Sequence, residues 1–107
     1  MEVLFDEKGL PQNLVGKTPT VINKTLTLAN TEYSQILPAD TTRFTLQART
    51  SHDVKLSYTS GESGTVYITI KAGSSYTEEN LDTGSALTLR MQSTNAGIVV
   101  EIIAFSF

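Results

Sequence analysis

Residues 42–59, TRFTLQARTSHDVKLSYT, contain the pattern that decides the fold class. Apolar side chains occupy every second position in both halves of this stretch: Phe44, Leu46, Ala48, Val54, Leu56 and Tyr58. A period of two is typical of a β-strand that has one face on a core and one face in water. The polar residues 50–53 separate the two runs, so we expect the runs to pair as an antiparallel hairpin.

The rest of the chain repeats this pattern in short runs separated by turn residues. Further candidate strands fall at residues 20–28, 33–37, 66–70, 75–78, 86–91 and 98–107. Turn signals recur about every 8–12 residues, which is typical of sandwiches and barrels. We therefore predict an all-β antiparallel β-sandwich of jelly-roll type with about eight or nine short strands. The predicted core consists of Phe44, Leu46, Val54, Leu56, Ile68, Leu89, Val100 and Ile102.

A chain of 107 residues corresponds to one domain. Residues 1–17, interrupted by Gly9, Pro11 and Gly16, are predicted to form an N-terminal arm, and residues 18–107 the β-sandwich domain. The arm contains large apolar side chains, which disordered tails usually lack. Three of these side chains are therefore candidate interface residues: Leu4, Phe5 and Leu10.

Composition argues against several classes of function. The chain has no cysteine, so neither a disulfide framework nor a thiolate metal site is possible. The net charge is −3 and the eight basic residues are spread along the chain, which argues against nucleic-acid binding. No apolar run approaches the roughly 20 residues of a membrane span, and the N-terminus is too short and acidic for a signal peptide. We expect no nucleic-acid or membrane partner.

Few residues are candidates for a catalytic or metal-binding role. His52 is the only histidine, and Asp53 beside it is a poor orienter because adjacent residues point to different sides. An acidic loop with Glu78, Glu79 and Asp82, joined by Glu62, lacks the ligand spacing of a calcium loop and is expected to be solvated. We therefore predict no catalytic residue, no metal site and no cofactor, and a protein that is not an enzyme.

Four tyrosines offer one binding alternative, because aromatic rings can stack on sugars. Tyr67 is the best outward-facing candidate, whereas Tyr58 falls on the core face of its predicted strand. The chain has no tryptophan, so core or rim packing is the expected role for most of these rings. A sugar contact at Tyr67 stays an alternative.

The last strand predicts an interface. Residues 98–107 are apolar on both faces, as in a central strand or one whose outer face is covered. Val99, Ile103 and Phe105 would lie on the outer face, where they would form an aggregation-prone patch unless covered. Either the N-terminal arm or a neighbouring copy is available to cover them. We expect a homo-oligomer, with a trimer as the favoured form.

One stretch carries a family resemblance. Residues 29–39, ANTEYSQILPA, followed by residues 44–49, FTLQAR, resemble small virion-associated proteins of tailed bacteriophages. The match continues through residues 54–65 and through four further positions: Ile70, Ala72, Gly73 and Tyr76. It covers roughly residues 26–105 and departs at Lys71, where the similar sequences often have proline.

The resemblance implies a small β-sandwich structural protein of the virion, assembled in the host cytoplasm. Such a protein decorates or stabilises the capsid through contacts with the major capsid protein or another virion protein. The matched motifs consist of turns and core positions, so no functional residue is carried over. The alternative function is a carbohydrate-binding or receptor-binding module of a phage particle.

Overall fold

The computed structural model describes residues 18–79, 81 and 86–107, which form eight β-strands. The strands are β1 (Thr18–Leu26), β2 (Tyr33–Ile36), β3 (Thr41–Ala48), β4 (Val54–Ser57), β5 (Ile68–Ile70), β6 (Ser75–Glu78), β7 (Thr88–Gln92) and β8 (Ile98–Ser106). No helix occurs among the described residues, so none of them forms a helical membrane span.

The strands form two four-stranded antiparallel sheets. The first sheet has the order β1-β8-β3-β6, and the second has the order β2-β7-β4-β5. The chain crosses between the sheets repeatedly, so most strand neighbours in space are distant in sequence. This order is that of a jelly roll, in which two Greek keys build two facing sheets. The predicted all-β antiparallel sandwich is confirmed.

The predicted hairpin between β3 and β4 is wrong. In the structure β3 pairs with β6 and β8, whereas β4 pairs with β5 and β7 in the other sheet. The polar residues 49–53 carry the chain across the sandwich instead of folding it back within one sheet. Alternation identifies the buried face of each strand, but it does not specify the partner strand.

Strand β8 is central in the first sheet, as its apolar sequence predicts. It pairs with β1 along its whole length and with β3 over most of it. Alternate side chains from Ile98 to Ser106 are buried, and those between them are half-buried. A bulge at Thr42 shifts the register between β3 and β8, and the Thr42 hydroxyl donates to the carbonyl of Phe105 across 3.3 Å.

The core lies between the two sheets and includes seven of the eight predicted residues. Thirteen apolar side chains are buried there: Leu26, Leu37, Phe44, Leu46, Val54, Leu56, Ile70, Leu89, Met91, Ile98, Val100, Ile102 and Ala104. The prediction is wrong for Ile68, which is 44% exposed. Ile68 faces the inner side of the sheet, opposite Leu56, but β5 is the edge strand, so the open side of the sandwich leaves it accessible.

Two further expectations near β5 need correction. The predicted strand over 66–70 is shorter, because the backbone amides of Thr65 and Val66 both donate to the carbonyl of Glu62 in a tight turn. Tyr58, predicted on the core face, lies beyond the end of β4 and is 39% exposed. Most residues between β4 and β5 are therefore exposed loop residues and not part of a strand.

Some predictions fall outside the described residues. The N-terminal arm, with Leu4, Phe5 and Leu10, lies there, as does Asp82 of the acidic loop. The division into an arm and a domain at residue 18 stays a prediction.

Leu56→Ala is expected to lower the free energy of unfolding by about 2–5 kcal/mol, because it removes buried apolar contacts and leaves a cavity. Urea unfolding followed by circular dichroism measures the loss. Leu28→Ala is the matched control, since Leu28 is 59% exposed and its truncation is expected to cost less than about 0.5 kcal/mol. A Leu56→Ala protein as stable as the parent would contradict this assignment of the core.

Candidate interaction surfaces

The outer face of the first sheet carries an apolar patch. Four side chains form this outer-face patch: Val21, Val99, Ile103 and Phe105. Val21 in β1 stands beside Ile103 in β8, and Thr45 in β3 stands on the other side of Ile103. Val21 is 70% exposed, and the other three are half-buried by their own neighbours. The sequence-predicted interface residues of the last strand therefore lie on one face, with Glu101 between Val99 and Ile103.

Polar and charged groups surround this outer-face patch. The Arg43 guanidinium lies over the ring of Phe105, with 4.3 Å between the Cζ atom and the ring centroid. Glu101 accepts hydrogen bonds from Arg49 Nε at 3.0 Å and from Gln47 Nε2 at 3.3 Å. These two bonds, that from Arg49 first, lower the pKa of Glu101. A shallow depression of about 290 Å³ lies between Val21, Thr45 and Ile103.

The outer face of the second sheet is partly covered by residues 58–67, the loop between β4 and β5. Arg90 and Gln92 point outward from β7, since Leu89 and Met91 face the core. The Ser63 hydroxyl oxygen lies 3.0 Å from Gln92 Oε1, so the loop lies on this face. Ser63 is itself buried, and a Cβ atom on Gly64 would lie 3.1 Å from the Gln92 side chain.

One carboxylate holds this loop in place. Glu32, just before β2, accepts hydrogen bonds from the backbone amides of Gly61 at 2.8 Å and Ser63 at 3.0 Å. It also accepts one from the Ser63 hydroxyl at 2.6 Å. These bonds, the Ser63 hydroxyl first, lower the pKa of Glu32, and the positive charge of Arg90 adds to the shift. Gly61 has φ 83°, which suits glycine and allows its amide to reach the carboxylate.

A groove of about 290 Å³ opens where the loop meets β5. It is lined by Leu56, Ser57, Tyr58, Thr59, Glu62, Val66, Tyr67 and Ile68. Tyr67 is 40% exposed, as its outward placement predicts. However, Lys55 Nζ lies 4.9 Å from the centroid of the Tyr67 ring. One face of this ring therefore contacts a cation, which leaves the other face for a ligand.

A chain of hydroxyl groups connects the two sheets beside this groove. The Tyr58 hydroxyl donates to that of Tyr76 in β6, and Tyr76 donates to Glu78 Oε2 at 2.5 Å. Burial, followed by the bond to Tyr76, raises the pKa of Tyr58, and burial followed by the bond to Glu78 raises that of Tyr76. Both phenols stay protonated near neutral pH, so they act as hydrogen-bond donors.

His52 and Asp53, the pair that the sequence offered for catalysis, have separate hydrogen-bond partners. His52 Nδ1 lies 2.9 Å from the Thr50 hydroxyl, whereas the Asp53 carboxylate accepts the backbone amide of Ala72 at 2.7 Å. Asp53 thus fixes the turn after β5 and does not orient His52. Among residues 18–79, 81 and 86–107, no three metal-ligating side chains come together.

Sequence reasoning missed the role of Glu32. The glycines and serines of residues 60–64 predict a loop, and Glu32 lies directly before a predicted strand. The local pattern does not predict contact between these two segments, because they are about 30 residues apart in sequence. They come into contact because β2 and β4 both pair with β7.

Comparisons with known proteins inform the fold only. No protein-family model matches the chain, and a search of curated proteins found no significant match. One solved structure with a similar fold is a de novo designed double-stranded β-helix, determined by solution NMR, with a TM-score of 0.51 and 20% sequence identity. The alignment covers 82% of this chain and 97% of the designed one. At this identity the likeness supports the β-sandwich architecture alone.

Glu32→Gln is expected to destabilise the protein by about 1 kcal/mol at neutral pH, because charge-assisted hydrogen bonds to a half-exposed group are lost. A carboxylate with a lowered folded-state pKa stabilises above its unfolded-state value, near 4.5, and loses this effect as pH falls through the folded-state pKa. The difference between the parent and the variant should therefore shrink below about pH 4.5. Urea midpoints from pH 3 to pH 7 measure it.

Glu62→Gln is the matched control for this experiment, since Glu62 is in the same loop and its carboxylate makes none of these bonds. If the two variants gave the same pH profile, the anchoring role of Glu32 would be wrong.

Proposed function

We propose that this protein is a structural component of a bacteriophage virion that decorates or stabilises the capsid through protein–protein contacts. The observation that carries the proposal is the outer-face patch of the first sheet. Four apolar side chains gathered on a face that would ordinarily be wet are typical of an interaction surface. The resemblance of residues 26–105 to virion-associated proteins supports the same function, and jelly rolls are frequent in viral capsid proteins.

The composition of the outer-face patch suits an interface between proteins. Val21, Ile103 and Phe105 form its continuous apolar part, and the polar row of Asn23, Glu101 and Gln47 separates them from Val99. This arrangement matches the apolar centre and hydrated rim of protein interfaces. Arg43 over Phe105 adds an aromatic–arginine pair of the kind that is enriched in energetically important contacts.

A second copy of the chain is the proposed partner for this patch. Closed symmetry is the usual arrangement of identical chains, and we propose a homo-oligomer, with a trimer favoured. In an oligomer several weak contacts to the capsid act together, so each contact can be small. The major capsid protein or another virion protein is the proposed second partner.

Ile103→Lys is expected to shift the protein toward the monomer, because it places a charge at the centre of the outer-face patch. Sedimentation equilibrium at micromolar concentrations measures the shift, and about tenfold weaker association corresponds to 1.4 kcal/mol. Ile36→Lys is the matched control, since Ile36 is 60% exposed in the other sheet. A parent protein that is monomeric, and unchanged by Ile103→Lys, would contradict self-association through this face.

The place of the protein in a virion needs a separate test. Purified particles of the phage that encodes the chain should contain it, and electron microscopy should show its jelly roll on the capsid surface. Absence of the chain from purified particles would contradict the proposed function.

The second candidate function is a carbohydrate- or receptor-binding module of a phage particle. The groove in which Tyr58 and Tyr67 both line the wall favours it. On this hypothesis a glycan array shows binding that Tyr67→Ala abolishes, because stacking on the ring is lost. Tyr33→Ala is a tyrosine control outside the groove. Equal binding by the parent and Tyr67→Ala, or none by either, would contradict a sugar site here.

A further inference from the structure

The continuous apolar part of the outer-face patch lies at one end of the first sheet. In the register of β1 and β8, Pro19 stands beside Phe105 and Val21 beside Ile103. Thr18, the first described residue, begins β1 at the same end of the sheet. The N-terminal arm therefore joins the described domain next to these apolar side chains.

A second sheet laid flat on this face would fit it poorly. Glu101 and Arg49, which form an ion pair at 3.0 Å, lie on the same face with 35% and 50% of their side chains exposed. Covering them would take two charges out of water, at a cost that an ion pair often does not recover. The three apolar side chains, two of them half-buried, provide only a small part of the roughly 1,200 Å² that stable interfaces bury. A narrow segment can cover them and leave Glu101 in water.

The charges of this face select neither an acidic nor a basic partner. Two positive and three negative side chains lie on the face or at the ends of its strands: Arg43, Arg49, Glu101, Glu79 and Asp40. The two signs nearly cancel, so a partner with a strong charge of either sign gains little here. An apolar segment without charge is the chemistry that suits the face.

The arm contains such a segment directly before β1. Residues 9–16, GLPQNLVG, have no charged side chain and include Leu10, Leu14 and Val15. The distance along β8 from Phe105 to Ile103 is two residues, or about 7 Å, so about three or four extended residues cross it. An arm of 17 residues reaches at most about 60 Å, which leaves most of its length for the path between two copies.

Symmetry also favours the arm over a contact between two sheets. An arm bound to a patch joins two different surfaces, so each copy gives one arm and receives another, and such contacts repeat around a closed ring. Two sheets packed face to face would use the same surface twice and form a twofold dimer. The arm is the occupant that agrees with the proposed trimer.

We infer that residues 9–16 of one copy cover Val21, Ile103 and Phe105 of the next copy in a closed ring. The leucine side chains of the segment replace water over these three side chains, and Glu101 stays in contact with solvent beside it. The inference rests on the proposed self-association of the outer-face patch and names the segment that makes the contact.

The arm of the same chain fits this patch less well. Thr18 is extended in β1, and because Pro19 follows it, an extended backbone is strongly preferred there. The chain therefore enters β1 along the strand direction, from beyond the end of the sheet. It would have to reverse at or before Lys17 to lie over its own patch, whereas the patch of a neighbouring copy requires no reversal.

Sedimentation equilibrium of full-length variants tests the segment. The double variant Leu10→Lys with Leu14→Lys should associate at least about tenfold more weakly than the parent, because two charges replace apolar contacts. The matched control is Gln12→Lys with Asn13→Lys, which adds the same charge to the same segment and should associate as the parent does. Circular dichroism confirms that each variant keeps its β-sheets.

Spin labelling distinguishes a neighbouring arm from the chain's own arm. The chain has no cysteine, so Gln12→Cys provides a single attachment site for a nitroxide. Spin-labelled chains without isotope are mixed with ¹⁵N-labelled parent and left to exchange subunits, so only contacts between chains broaden the observed amide signals. We expect broadening at Val21, Ile103 and Phe105 and none at Ile36 in the other sheet.

Two outcomes would overturn the inference and leave self-association intact. The first is an oligomer that Ile103→Lys weakens but Leu10→Lys with Leu14→Lys does not, which would show that the patch contacts another sheet. The second is an oligomer in which the patch signals broaden only when the nitroxide is on the ¹⁵N-labelled chain itself, which would show cover by the same chain.

A monomeric parent would contradict the proposed self-association and this inference together. Sedimentation of the parent alone therefore separates failure of the proposed function from failure of the arm contact.

Discussion

The burial of one face of β8 between two partner strands is the constraint on which the rest of the structure depends. Val100, Ile102 and Ala104 point into the core, and the strand is hydrogen-bonded to β1 on one side and β3 on the other. Because β8 joins the start, the middle and the end of the chain, the first sheet is complete only when the whole sequence is in place. The second sheet then closes the core over these side chains.

The same arrangement produces the surface of the first sheet. A strand that is central and apolar on both sides must direct its second set of apolar side chains outward, where β1 and β3 flank but do not bury them. Val21 extends this set, and Arg43 partly shields Phe105. The outer-face patch is thus a direct consequence of the position of β8. Glu101, which lies between Val99 and Ile103 on the same face, keeps the continuous apolar area small.

The second sheet has a different kind of surface because the loop before β5 folds back over its outer face. The Glu32 carboxylate accepts hydrogen bonds from the Gly61 and Ser63 backbone amides and so fixes the path of that loop. The edge strand β5, which follows this loop, has only three residues, and Ile68 on its inner side is accessible. The described part of the molecule therefore exposes two different surfaces, a sheet face with apolar side chains and a short edge strand.

The sequence alone determined the fold class, because alternation of apolar residues reports which side chains of each strand face the core. It identified seven core residues, the central position of the last strand and the outward placement of Val99, Ile103 and Phe105. Only the tertiary structure decided the pairing. The adjacent strands β3 and β4 belong to different sheets, and Ile68 is accessible because β5 is an edge. Strand pairing and edge positions depend on contacts between residues far apart in the chain, which a local period of two does not encode.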